Sequence, residues 1–355
     1  MTKQIVLLGS TGSIGIQTLD VAKTHNIKVK ALSAHSNAAL LAKQQKEFGA
    51  VQTCLSGETP AKLCELAATP DCTVVNAVVG SAGLKPTLAA LRAGNPVALA
   101  NKETLVAGGE TVMELSRQNN APVIPIDSEH SAIMQCINNT DNAINKIILT
   151  ASGGAFRGCT KAQLRAVTRE QALSHPNWSM GAKITVDSAT MMNKGLELIE
   201  AIHLFGVNES QIEVVVHPQS IIHSAVEFID GSIIAQLGVP DMRLPIQYAL
   251  SYPKRLFSTA KRLSLTELGT LTFEEPNNEA FPLLELARKA ANLGGNAPCA
   301  LNAANEAAVR LFLDGEIAFY EISEVVERVF NKVEKTDEIG LDIIEKTEGD
   351  IKHCL

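Results

Sequence analysis

The feature that most constrains this chain is the alternation, through its first 126 residues, of short β-branched runs with stretches of helical periodicity. The runs are Ile5-Leu8, Val29-Ser33, Val51-Leu55, Thr73-Val79, Pro96-Ala100 and Val123-Ile126, and segments such as Leu84 to Arg92 between them repeat apolar residues at helical spacing. Strands joined by helical crossovers run parallel, and a parallel sheet needs helices on both faces to cover it. The expected fold class is therefore α/β, with a doubly wound parallel sheet over residues 1–126.

Beyond Ile144 the pattern changes. Ile147-Ala151, Val214-His217, Ile221-Ile229 and Ser232-Leu237 read as strands, the last two joined by Asp230-Gly231, a hairpin signal. Strands and helices are segregated here, which predicts an α+β domain over 127–250. The polar stretch 152–181 is too long for a simple connection and reads as a flexible lid. A proline-punctuated linker over 251–282 and a small C-terminal helical domain over 283–355 complete the expected organisation.

Lys and Arg number 31 against 38 Asp and Glu, a formal charge of -7, which argues against a nucleic acid partner. No apolar stretch approaches the roughly 18 residues of a membrane span, so no membrane partner is expected. The start, MTKQIVLLGS, reads as a first strand rather than a secretory signal. Seven scattered cysteines form no Cys-x-x-Cys pair, and a reducing cytoplasm suits them.

Three motifs carry chemistry. IVLLGSTGSIGIQTLDVA places Gly9, Gly12 and Gly15 between the first strand and a helix, where glycines permit a tight turn and close approach of a pyrophosphate to the helix N-terminus. The end of the second strand, LSAHSN, lacks the carboxylate that NAD enzymes set against the ribose, which favours NADP. IDSEH puts Asp127 and Glu129 beyond a strand's carboxyl end, on one face if the chain stays extended.

In DSATMMNKGLELIEAIHLFG, Asp187 or Ser188 can cap a helix on which Asn193, Lys194 and Glu197 share a face, with Glu200 one turn on. Converging carboxylates call for a divalent cation, and oxygen ligands select Mg2+ or Mn2+; spacing alone does not choose between Glu197 and Glu200. Lys102, Lys194, Ser152 and Ser188 can form an anion pocket. HPNWSM holds the only tryptophan, Trp178, as a flap with Gly153-Gly154 and Gly181 as hinges.

Taken together, GSTGSIG, ANKE, PIDSEHSAI, TASGGAF, HPNWSMGAKITVDSATMMNKGLELIEA, HPQSIIHSAVEFIDGS, QLGVPDMR and ALNAANEAA resemble the 1-deoxy-D-xylulose 5-phosphate reductoisomerases. The resemblance implies a Rossmann-type first domain, a homodimer, NADPH as cofactor, a need for Mg2+, Mn2+ or Co2+, and a sugar phosphate substrate. It assigns Gly9, Thr11, Gly12, Ser13, Ile14, His35, Ser36, Asn37, Asn101, Glu103 and Gly181 to the cofactor. It assigns Asp127, Glu129 and Glu197 to the metal, and Lys102, Ser128, Glu129, Ser152, His175, Trp178, Ser188, Asn193, Lys194 and Glu197 to the substrate. Lys102, Glu129 and His175 become the expected catalytic residues. His35 stands where family members commonly have glycine.

Overall fold

The computed structural model describes residues 2–137, 144–178 and 180–354. The chain divides into two compact units: Met1–Leu105 with Gly109–Met134 and Asp241–Lys261, and Val106–Gly108 with Gln135–Pro240 and Arg262–Leu355.

The first unit holds strands β1 (Gln4–Leu8), β2 (Lys28–Ala34), β3 (Gln52–Leu55), β4 (Thr73–Asn76), β5 (Val97–Leu99) and β6 (Val123–Pro125), one for each expected run. They form a single parallel sheet in the order β3-β2-β1-β4-β5-β6. Ile5, Val6, Leu7 and Leu8 of β1 are fully buried, as a central strand covered on both faces requires. Strand order reverses between β1 and β4, and ligands of such sheets collect beyond the strand ends at that point.

One expected boundary is displaced. Residues 241–250 fall within the expected α+β domain, yet the helix Arg243–Ser251 buries Ile246, Ala249 and Leu250 in the same core as Ile5, Leu7, Ala98 and Ile124. Helical periodicity shows that a face must be covered without showing by which sheet.

The second unit contains β7 (Ile144–Ala151), β8 (Ile212–Val216), β9 (Ile222–Phe228) and β10 (Ile233–Leu237), in the order β10-β9-β7-β8. Strands β7 and β8 are parallel; the other pairings are antiparallel. Gly231 turns the hairpin at φ +82°, while the Asp230 carboxylate accepts the Ser232 amide at 2.9 Å.

The stretch expected as a lid is partly ordered by two one-turn helices, Lys161–Leu164 and Arg169–Ala172. Each opens on a capping box, Thr160 with Gln163 and Thr168 with Gln171, which satisfies amides that a turn this short leaves unpaired.

The helices Leu283–Leu293, Ala297–Asp314, Glu321–Lys332 and Leu341–Cys354 belong to this second unit rather than to a domain of their own. Their attachment runs through the helix Met192–Phe205, where a Cβ on Gly195 would lie 2.5 Å from the Ala287 Cβ. Only glycine lets the two helices approach so closely. The expected linker is also not a free connection, because Glu274 exchanges two backbone hydrogen bonds with Val216, at 2.8 and 2.9 Å. Among the described residues, no helix is long and apolar enough to cross a membrane.

Candidate active site

In the first unit, the turn after β1 is built by glycines. Gly9 has φ +84°, and a Cβ there would lie 2.4 Å from the Ala77 carbonyl oxygen; a Cβ on Gly15 would lie 2.3 Å from the Gly9 carbonyl oxygen. Both positions exclude any side chain. Gly12 differs, since the nearest atom to a Cβ there is 3.6 Å away. It caps the helix Ser13–Thr24 without a side-chain hydrogen bond, so the helix's first amides face outward, a positive terminus suited to a pyrophosphate. Ile14 packs its side chain on the core and can offer only its backbone there.

His35, Ser36 and Asn37 are exposed just past β2, and no carboxylate lies among them. Asn37 has a structural duty as well, its side chain accepting the Leu40 amide at 3.1 Å to cap the helix Ala38–Phe48. Asn101 is buried and donates to the carbonyls of Val78 and Gly80, both at 2.8 Å, and to Glu103 at 3.0 Å. It thereby ties the loop after β4 to the one after β5.

The acidic pair is arranged differently from the extended expectation. Strand β6 stops at Pro125, and Asp127 starts the helix Ser128–Ile137: its carbonyl accepts the Ser131 amide at 2.9 Å and its Oδ1 the Glu129 amide at 3.2 Å. Aspartate favours this capping role over continued strand. Helix start, rather than strand pleat, sets the two carboxylates, whose oxygens lie within 4.8 Å. Lys102, only 5% exposed, sits 3.0 Å from Asp127 Oδ2, and the fully buried His130 places Nδ1 3.1 Å from Oδ1. Ser128 donates its hydroxyl to Glu129. Two adjacent carboxylates with a lysine beside them form an oxygen-rich site that fits a hard divalent cation.

In the second unit, His175 organises the polar segment after β7. Its Nδ1 accepts the amides of Asn177 at 3.1 Å and Trp178 at 3.0 Å, so the neutral ring carries its proton on Nε2, which meets the Ser152 hydroxyl at 3.0 Å. Burial lowers the His175 pKa below the ordinary histidine value. Ser152 also accepts the Gly154 amide at 3.1 Å. Gly153 and Gly154 have φ of +85° and +68°, whereas Gly181, at φ −66°, is an ordinary cap for the helix Ala182–Ala189. The Trp178 ring lies 6.2 Å from that of His223.

The helix expected to start at Asp187 or Ser188 is two helices, Ala182–Ala189 and Met192–Phe205, broken where Met191 takes φ +62°. Asp187 and Ser188 therefore lie inside the first helix. Asp187 is 1% exposed and bound by Lys183 at 3.0 Å and by Asn305 at 2.8 Å. On the second helix, Asn193 donates to Glu197 at 2.5 Å and Lys194 pairs with Glu197, as the spacing predicts. Glu197 and Glu200 are both almost wholly buried. Sequence reasoning missed His130, Asn177, Lys183 and Asn305; the i,i+4 spacing of Lys183 and Asp187 was the one available signal.

A six-stranded doubly wound sheet with an open, glycine-lined helix terminus at its switch point is the architecture of a dinucleotide-binding protein. Residues 5–109 match a family model for 1-deoxy-D-xylulose 5-phosphate reductoisomerase, and 123–205 and 237–354 match models for that enzyme's C-terminal domains. The reductoisomerase of Bacteroides fragilis is 51% identical, over 93% of this chain and 91% of its own length. That of Pelotomaculum thermopropionicum is also 51% identical, over 96% and 95%. Among solved structures, the Zymomonas mobilis reductoisomerase in complex with NADPH superposes with a TM-score of 0.91 at 40% identity, covering 100% of this chain and 98% of that one. A reductoisomerase in complex with NADPH, fosmidomycin and magnesium gives 0.92 at 41%, covering 99% and 97%. The chain belongs to the 1-deoxy-D-xylulose 5-phosphate reductoisomerase family, and it is an oxidoreductase.

Proposed function

We propose that the protein rearranges and reduces 1-deoxy-D-xylulose 5-phosphate to 2-C-methyl-D-erythritol 4-phosphate in the non-mevalonate isoprenoid pathway, using NADPH and a divalent cation, Mg2+ or Mn2+ with Co2+ an alternative. The observation that carries this reading is the Lys102-neutralised pair Asp127 and Glu129, set at a strand end in the same unit as the open glycine loop.

NADPH would supply hydride, with Gly9, Thr11, Gly12, Ser13 and Ile14 at its pyrophosphate, His35, Ser36 and Asn37 toward its 2'-phosphate, and Asn101, Glu103 and Gly181 lining its site. Asp127, Glu129 and Glu197 would hold the cation, whose Lewis acidity favours negative charge developing on the substrate's ketone oxygen. Lys102 and Glu129 are assigned to proton handling. Ser152, Ser188, Asn193 and Lys194 grip the phosphate, the remote group whose binding helps order the lid. Ser128 contacts the substrate, and His175 with Trp178 closes over it to exclude water.

The partner is a second copy of the chain. The edge strand β10 leaves Ile233, Ile234 and Leu237 exposed, and an apolar edge of this kind is suited to burial in a dimer. The compartment is the cytoplasm, consistent with free cysteines among the described residues.

The test sets Glu197→Gln against Glu200→Gln, following NADPH oxidation with deoxyxylulose phosphate while magnesium is titrated. Loss of a direct ligand should cut kcat/KM by at least about 100-fold and raise the magnesium requirement, with Glu200→Gln far milder. Equal, mild effects would remove Glu197 from the metal.

A further inference from the structure

The loop His217-Pro218-Gln219-Ser220 after β8 is stiffer than its position suggests. His217 is fully buried, its Nδ1 2.9 Å from the Thr272 carbonyl and its Nε2 accepting the Ile221 amide at 3.2 Å. Its ring stacks on Phe273 with centroids 5.0 Å apart. Gln219 donates to the Thr272 hydroxyl at 2.8 Å, and Ser220 holds φ +52°, a conformation a non-glycine residue adopts only when its surroundings impose it.

Asn177, from the polar segment 41 residues earlier, spends its side-chain amide on this turn. Nδ2 donates to the Pro218 carbonyl at 2.7 Å and to the Ser220 hydroxyl at 3.0 Å. Asn177 is exposed, so its donors could be satisfied by water, and burial does not force these bonds. The Asn177 and Trp178 amides meanwhile both point at His175 Nδ1. Fixing the Asn177 side chain thus fixes the backbone that orients the His175 ring, and with it the Nε2 contact to Ser152.

We propose that Asn177 is the latch of the lid, a positioning residue that hooks the His175–Trp178 segment onto the preformed turn at Pro218–Ser220 and so presets His175 and Trp178 for substrate. This rests on the reading of His175 and Trp178 as substrate-closing groups, but the latch itself rests on the two Asn177 hydrogen bonds alone.

The experiment compares the full-length protein with Asn177→Ala and Asn177→Asp, both lacking the donor. Hydrogen exchange at the Asn177 and Trp178 amides should quicken about tenfold, the scale of one lost hydrogen bond. Emission from Trp178, the only tryptophan, should move toward that of a solvated indole. With deoxyxylulose phosphate, KM should rise about tenfold while kcat stays within about twofold and the melting temperature is unchanged, a split that general destabilisation would not produce. Ser220→Ala, which leaves the Pro218 carbonyl in place, should give a smaller rise. Exchange and emission equal to wild type in both Asn177 variants would overturn the latch. Failure of the wild-type protein to oxidise NADPH with this substrate would instead overturn the proposed function, and the exchange data would still decide the latch.

Discussion

The two units place their functional side chains by different means. In the first, each group sits within a few residues of a strand's carboxyl end: Gly9 follows β1, His35 follows β2, Asn101 and Lys102 follow β5, and Asp127 follows β6. The sheet does the positioning, and local sequence order reports it. In the second, His175 is held by contacts 23 residues away, Asn177 by contacts 41 and 43 away, and Asp187 by one 118 away. There long-range hydrogen bonds do this positioning, and no local pattern reports those contacts. A strand-end site is therefore inherited from topology, whereas a networked site has to be assembled contact by contact.

The largest effects should break the first unit at its glycines. Gly15→Ala sets a Cβ against the backbone of Gly9 and Ser10, which cannot rotate away, and should cost on the order of 3 kcal/mol of stability along with NADPH affinity. Gly12→Ala has room within the chain, so melting should hardly change while NADPH binding weakens at least about tenfold. Melting curves and NADPH fluorescence titration separate the two. Unchanged NADPH binding in Gly12→Ala would reduce the loop to a tight turn.

The same contrast sets what the sequence could disclose. The ten strands among the described residues were legible from composition and alternation, because burial on one or both faces leaves a periodic trace. So was the face shared by Asn193, Lys194 and Glu197, since it depends only on helical pitch. The break at Met191 was not legible: a methionine at positive φ has no compositional signature, and it moved Asp187 and Ser188 from cap to helix interior. The capture of Arg243–Ser251 by the first sheet was equally hidden, its apolar face fitting either core. Asp127 was placed correctly at a strand end but through a helix cap that Ser-Glu-His after it could have signalled.

Asn305→Ala sharpens the comparison at intermediate size. It removes one of two partners from the buried Asp187, leaving Lys183, and should cost about 2 kcal/mol by urea titration. Because the helix carrying Asp187 also carries Ser188, KM for the sugar phosphate should rise and KM for NADPH should not. A reversed pattern would mean that the network of the second unit does not set its own site.

The smallest effect should come from pH, through His175 in the second unit. Neutral His175 accepts two amides at Nδ1; protonation puts a third N–H against them, and burial already holds its pKa below the usual value. In the unfolded chain this histidine takes up a proton near pH 6.5, whereas the folded protein resists until a lower pH. Between those two values the unfolded state binds more protons, so stability rises with pH across that window, is complete above about 6.5, and declines as acid is added. Trp178 emission in the ligand-free protein should follow the folded-state protonation, with a midpoint below pH 6.5, because losing the His175 acceptor frees the Trp178 amide. Half-exposure of the ring keeps the change in overall stability small, so emission is the more sensitive readout. His175→Gln should abolish the transition. An emission midpoint at or above 6.5, or a transition that survives in His175→Gln, would show that the lid segment does not depend on the neutral imidazole.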